Sequence, residues 1–172
     1  MNINTVRNIL LIIVALLVQS TLFGRMDIFG ARPDLALLVL IFIAGSAEPA
    51  ESILYGFFIG FIQDVYTPEF LGFNSFIMSL MGFALGIVKE TLTVENYSVK
   101  TLLTLAACMV HDLLYLSLYT SFDFSLLLKL FVKNSLPGAL YTSILAFLFV
   151  AAYGWVVSGG LKIVRELTTG RR

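Results

Sequence analysis

The chain has 172 residues, of which 59% are hydrophobic and only 13% charged, with a mean hydropathy of +0.94. A soluble domain of this size needs a polar exterior that this composition does not supply, so the chain reads as an all-helical integral membrane protein. Lys+Arg and Asp+Glu balance at 11 each, which excludes a basic field for nucleic acid. The one cysteine, Cys108, excludes an internal disulfide and a multi-cysteine metal site.

The first apolar run is Val6–Phe23. A hydrocarbon core of about 30 Å takes roughly 20 helical residues, and this run nearly has them. No small-x-small cleavage site follows Ile9–Val18, so it reads as an uncleaved first helix rather than a signal peptide. The second run, Asp34–Ala47, opens on Arg32-Pro33-Asp34. The third, Glu51–Tyr66, sits back to back with it around Ala47-Glu48-Pro49-Ala50-Glu51, a proline turn that ends one helix and starts the next. Both are short for a span, which local thinning or packing against longer neighbours accommodates. The turn Thr67–Asn74 follows, with Gly72 inside it and Asn74 placed to cap the next helix.

The fourth, fifth and sixth runs are Phe73–Lys89, Val99–Tyr119 and Leu136–Val157. Asn134 or Ser135 is placed to cap the last of these, with Pro137 tolerated in its first turn. Phe124–Val132 is too short to cross, and Lys129 and Lys133 suit a helix lying at the interface. The tail Leu161–Leu167 is a short amphipathic stretch suited to the inner surface.

Six crossings place both termini on one side. If that side is cytoplasmic, Arg7, Lys89, Lys100, Lys162, Arg165, Arg171 and Arg172 lie inside, and Arg25, Arg32, Lys129 and Lys133 lie outside. That excess of basic residues favours cytoplasmic termini. Five crossings, with the second and third runs forming one re-entrant hairpin, is the alternative. Residues 1–172 read as a single integral membrane domain, an all-α bundle of six transmembrane helices.

Two constellations stand out. Ser52, Gly56, Gly60 and Asp64 recur every four residues and share one helix face, while Gly82 and Gly86 extend a small-residue stripe from Ser75 and Ser79 on the next helix. Small residues let helices approach closely where lipid removes the hydrophobic driving force. The stripe serves either packing between these two helices or reception of a partner's transmembrane helix.

The second constellation is Gln63-Asp64 with His111-Asp112. Counting about 1.5 Å per residue from the inner ends puts both at similar depth, in the outer half of the bilayer. Ionisable groups in the membrane normally face each other or a water-filled cavity. The expectation is one polar network between the third and fifth helices, serving as a clasp or as a ligand or partner site. A lone His–Asp pair lacks the nucleophile of an acyl-transfer site, and the chain has neither HExxH nor GxSxG. No enzyme activity, cofactor or metal is expected.

The order Arg32-Pro33-Asp34-Leu35, then Gly56-x-x-x-Gly60-Phe61-x-Gln63-Asp64, then Leu71-Gly72-Phe73-Asn74 resembles the MreD family of bacterial rod shape-determining membrane proteins. The likeness covers nearly the whole chain in length, span number and motif order, and is most specific from Arg32 to Gly86. It implies a non-enzymatic, multi-pass protein of the cytoplasmic membrane that helps to control lateral peptidoglycan synthesis in the rod complex, or elongasome.

The partners it implies are MreC directly, and through it MreB and the elongation transpeptidase and glycosyltransferase; a dimer of MreC–MreD pairs is one arrangement. It also implies a fold like that of the substrate-binding subunits of energy-coupling-factor transporters, which leaves a vitamin-binding membrane subunit as the alternative function. On the leading reading, Gly56, Gly60, Gly82 and Gly86 serve close packing or partner contact, and Pro33, Asp34, Gln63, Asp64 and Asn74 organise the outer helix ends.

Overall fold

The computed structural model describes residues 3–23, 33–89, 97–149 and 151, and these are helical apart from short turns and caps. The basic residues Arg25 and Arg32 and the tail Leu161–Leu167 lie outside the described residues.

Helix α1 spans Ile3–Val18 and runs into a widened π turn at Gln19–Phe23. The widening has a local cause, because the hydroxyls of Ser20 and Thr21 both donate to the Leu17 carbonyl and compete with the backbone ladder.

Helix α2 spans Leu35–Ala44. Its ten residues rise about 15 Å, about half of a hydrocarbon core. The apolar run Asp34–Ala47 is longer than this helix for two reasons. Asp34 leaves the helix to cap it, and the N–H groups of Gly45, Ser46 and Ala47 turn back to the carbonyls of Ile41 and Ile43. The helix is apolar all round, and Ala36, Leu37, Leu40, Ile43 and Ala44 are fully buried. Residues from α1 and from every later long helix close over it, so α2 is the axis of the core.

Helix α3 spans Pro49–Val65, with Pro49 in the first turn where its missing N–H costs nothing. A 3-10 turn at Pro68–Phe70 leads to α4, Phe73–Ile87. Helix α5 spans Tyr97–Tyr119 and α6 spans Phe124–Leu130. Between them Ser121 and Phe122 take positive φ (50° and 65°), a left-handed reversal made without glycine. Asp123 then caps α6 by accepting from the N–H groups of Ser125 and Leu126.

After α6 the chain stays helical, passing through a π turn at Phe131–Ser135 into α7, residues 136–149. Asn134 and Ser135 are therefore helical residues and not caps, contrary to the sequence expectation. The cause is Pro137, which has no N–H for a helical ladder. The chain widens ahead of it, and the Leu136 N–H reaches back to Phe131.

Among the described residues one helix, Val99–Tyr119, is long and apolar enough to cross a membrane by itself; Thr5–Thr21, Leu35–Ala44 and Phe73–Ile87 are apolar but shorter. The exterior is oily along α1 (Leu10, Leu17), α3 (Leu54, Phe58), α4 (Phe76, Ile87) and α7 (Ile144, Phe149), while Asp64, Ser52, Thr142 and His111 are buried. That is the reverse of a soluble protein.

Helices α3 and α4 lie antiparallel in strict register. A Cβ on Gly56 would collide with the Met78 carbonyl, one on Gly60 with the Asn74 carbonyl, one on Gly82 with the Ser52 carbonyl, and one on Gly86 with Pro49, each closer than 3.0 Å. From Ser52–Gly82 through Gly56–Met78 to Gly60–Asn74, four residues forward on α3 match four residues back on α4. Gly72 is a different case, with φ +99° and open space where a Cβ would stand.

Gly60→Ala should therefore lower stability by about 2–3 kcal/mol or more through overpacking against backbone. Gly72→Ala should cost only about 1–2 kcal/mol, through backbone conformation alone. Unfolding of both variants in mixed micelles checks the order.

Candidate functional site

Two groups of buried polar residues stand out, one where α3 finishes and α4 begins and one around the start of α2; Asn8, Ser52 and Thr104 are buried away from both. Asp64 is 0% exposed. Its Oδ1 accepts from the Asn74 N–H at 3.0 Å, and its Oδ2 accepts from the N–H groups of Gly72 (3.0 Å) and Ser75 (2.9 Å) and from the Ser75 hydroxyl (2.5 Å). These are the N–H groups that the start of α4 leaves without helical partners. Asp64 is thus the N-cap of α4, supplied from the neighbouring helix.

Asn74 does not cap α4, as the sequence reading expects. The residue at the cap position is Gly72, which has no side chain to do it. Asn74 instead presents its own backbone N–H to Asp64.

A second polar group surrounds the start of α2. Asp34 Oδ1 accepts from the Leu37 N–H at 2.9 Å, Gln19 Oε1 accepts from the Ala36 N–H at 2.9 Å, and the Asp34 N–H donates to Thr142 Oγ1 at 3.0 Å. Pro33, fully buried, brings the chain into this turn. Side chains from α1 and α7 therefore satisfy the first turn of α2. Asp34 lies within electrostatic reach of His111 and Asp112 on α5. His111 Nδ1 meets Asp112 Oδ1 at 3.1 Å, and His111 Nε2 is buried without a partner. Beside this group a cavity of about 230 Å³ opens between α2, α5 and α7.

The expected network joining Gln63 and Asp64 to His111 and Asp112 is not formed. The lone pairs of Asp64 are taken by the start of α4, and Gln63 Oε1 is buried with no partner. The pair on α5 faces Asp34 instead. Phe70 lies 5.0 Å from Tyr119 and Tyr119 6.2 Å from Tyr115, which lines the cavity with Asp34 and Asp112. Depth counting fixes the level of a residue but not the direction in which it points around its helix.

Of the two readings of the glycine stripe, the geometry is that of packing between α3 and α4, since backbone from the facing helix fills the space over all four glycines. Sequence reasoning missed Gln19, Ser75 as a partner of Asp64, and Thr142. The signal for Gln19 was its amide near the end of an apolar run; a threonine such as Thr142 carries none, because hydroxyls inside helices usually bond to their own backbone.

Asp64→Ala should cost at least about 3 kcal/mol, because it strands several buried donors at once. Amide exchange at Gly72, Asn74 and Ser75 should rise in that variant and stay unchanged in His111→Ala. A double-mutant cycle between positions 64 and 111 should be additive to within about 0.5 kcal/mol.

Comparison with curated proteins and with solved structures gave no match. A family model described as rod shape-determining protein MreD matches residues 1–155. That stretch takes in all of α1 to α7, including both polar groups and the glycine stripe, and the chain belongs to the MreD family of rod shape-determining membrane proteins.

Proposed function

We propose that this chain is a non-enzymatic scaffold of the bacterial rod complex, crossing the cytoplasmic membrane six times as one domain with both termini in the cytoplasm. It binds MreC directly and through it helps to position MreB and the elongation transpeptidase and glycosyltransferase, and so to control lateral peptidoglycan synthesis. The observation that carries this reading is the family match across the whole helical body.

The topology rests on two further observations. The oily exterior suits lipid on all sides of the bundle. Glu48, in the turn after α2, meets Lys89, just past the end of α4, at 2.7 Å. The α2–α3 turn thus reaches as far as the end of α4, which favours a crossing over a shallow re-entrant hairpin. The pair itself is exposed and adds little stability.

A vitamin-binding transporter subunit gains nothing from this structure. The cavity of about 230 Å³ is smaller than the roughly 300–1,000 Å³ of pockets that hold drug-sized ligands.

The packed glycine stripe leaves the bulky outer faces for MreC. The Phe57–Phe58–Phe61 ridge of α3 is exposed, with Phe57 and Phe61 stacked at 6.1 Å, and Phe83 is exposed on α4. Single cysteines at positions 57, 61 or 83, in a Cys108→Ala background, should crosslink to cysteines in the MreC span, whereas cysteines replacing Ile59 or Met78 should not. Absence of crosslinks from every exposed position, together with failure of MreC to co-purify, overturns the scaffold reading.

A further inference from the structure

From Phe124 to Phe149 the chain is helical throughout, and its only charged residues are Lys129 and Lys133. Both are exposed and stand about one turn apart, in α6 and the π turn that follows it. We propose that this lysine pair binds the phosphate of an anionic phospholipid whose chains lie along the exposed apolar residues of α6 and α7. The proposal goes beyond the scaffold reading and rests only on the chain being a membrane protein.

Charge is the first reason. Among the described residues neither lysine makes an ion pair. The carboxylates nearest in sequence are engaged, Asp112 with His111 and Asp123 with the N–H groups of Ser125 and Leu126. Outside the described residues, 24–32 holds one acid and two arginines, and 152–172 holds one acid and four basic residues. Neither stretch brings net negative charge. Glu90 and Glu95 join the end of α4 to the start of α5, whereas α4 starts and α5 finishes near the contact of Phe70 with Tyr119.

Depth is the second reason. Tyr66, Tyr119, Phe122 and Phe124 are all exposed at the end of the bundle where Phe70 meets Tyr119, and tyrosines gather at the membrane–water boundary. From there α6 and α7 run back along α5, since Ser135, Ala139 and Thr142 line one cavity with Cys108, Asp112 and Leu116. At about 1.5 Å per residue, Lys129 lies about 8 Å and Lys133 about 14 Å inward of Phe124. Helical side chains lean toward the start of their helix, here back toward the boundary. Each stem can thus lie along apolar surface while its ammonium group rises to the headgroups.

The surroundings set the occupant. Leu128 and Val132 beside the lysines are exposed, and the oily surface continues through Leu140, Ile144 and Phe147 on α7. Such a track suits acyl chains better than an acidic protein segment. An unpaired ammonium group at this depth is costly, and the anion that lipid supplies at the boundary is its phosphate. Two lysines favour a net-anionic lipid over a zwitterionic one, whose own cation competes for the phosphate.

Photolabelling of the purified full chain in phosphatidylcholine vesicles tests this, with added phosphatidylglycerol that bears a photoreactive group near its phosphate. Mass spectrometry of the digested chain should place the label around Lys129 and Lys133. Labelling there should fall roughly tenfold in the Lys129→Gln, Lys133→Gln double variant and persist when both lysines become arginine. Lys100→Gln, at the start of α5, should leave it unchanged. Equal labelling of the unmodified chain by phosphatidylcholine carrying the same group overturns the proposal without recourse to any variant. Undiminished labelling of the double glutamine variant also overturns it, and leaves the lysines to an acidic protein segment.

Discussion

The carboxylate of Asp64 at the start of α4 is the contact on which the α3–α4 pair depends. A helix start leaves N–H groups without partners, and lipid has no water to offer them. In most proteins a residue of the same helix supplies the cap. Here the cap position holds Gly72, so the acceptor comes from the last turn of the preceding helix. The α4 start also carries partial positive charge, which steadies the anion in a poorly screened setting. An aspartate side chain is short, however, and reaches the α4 backbone only if the two helices lie almost in contact. Glycines at 56, 60, 82 and 86 permit that approach. Stripe and carboxylate therefore act together, the glycines setting the distance that the aspartate has to reach.

The start of α2 solves the same problem by different means. Its N–H groups are met by its own cap Asp34, by Gln19 from α1 and, one residue earlier, by Thr142 from α7. A ten-residue helix that is buried except at Phe42 and Val39 has no polar surface with which to fix its own position. Polar bonds from both ends of the chain do so, and they carry direction, which apolar packing lacks. Asp64 and Asp34 thus serve two separate helix starts, each with a carboxylate as acceptor.

Much of this was legible from residues alone. The four-residue spacing of Ser52, Gly56, Gly60 and Asp64 predicts a single face, and that face is the one α4 covers. Depth counting expected Asp64 and the His111–Asp112 pair at similar depth, in one network. It failed on pairing, because level along a helix says nothing about azimuth, and a residue from a sequence-adjacent turn competes better for Asp64 than one from a distant helix. Asp34 stands at a helix end, as expected, but the start of α7 was misread for a related reason. Whether Asn134 and Ser135 cap a helix or lie within one depends on acceptors that only the folded chain supplies.

The two sides of the molecule differ in kind. On the α3–α4 side, backbone meets backbone over the glycines and the polar atoms of Asp64 are spoken for. On the α5–α7 side there are a left-handed reversal at Ser121–Phe122, a π turn and a cavity. A pair of helices locked through their backbones can hold a fixed outer surface, as a scaffold for another protein's span requires. The open volume between α2, α5 and α7 leaves the helices there without such continuous backbone contact.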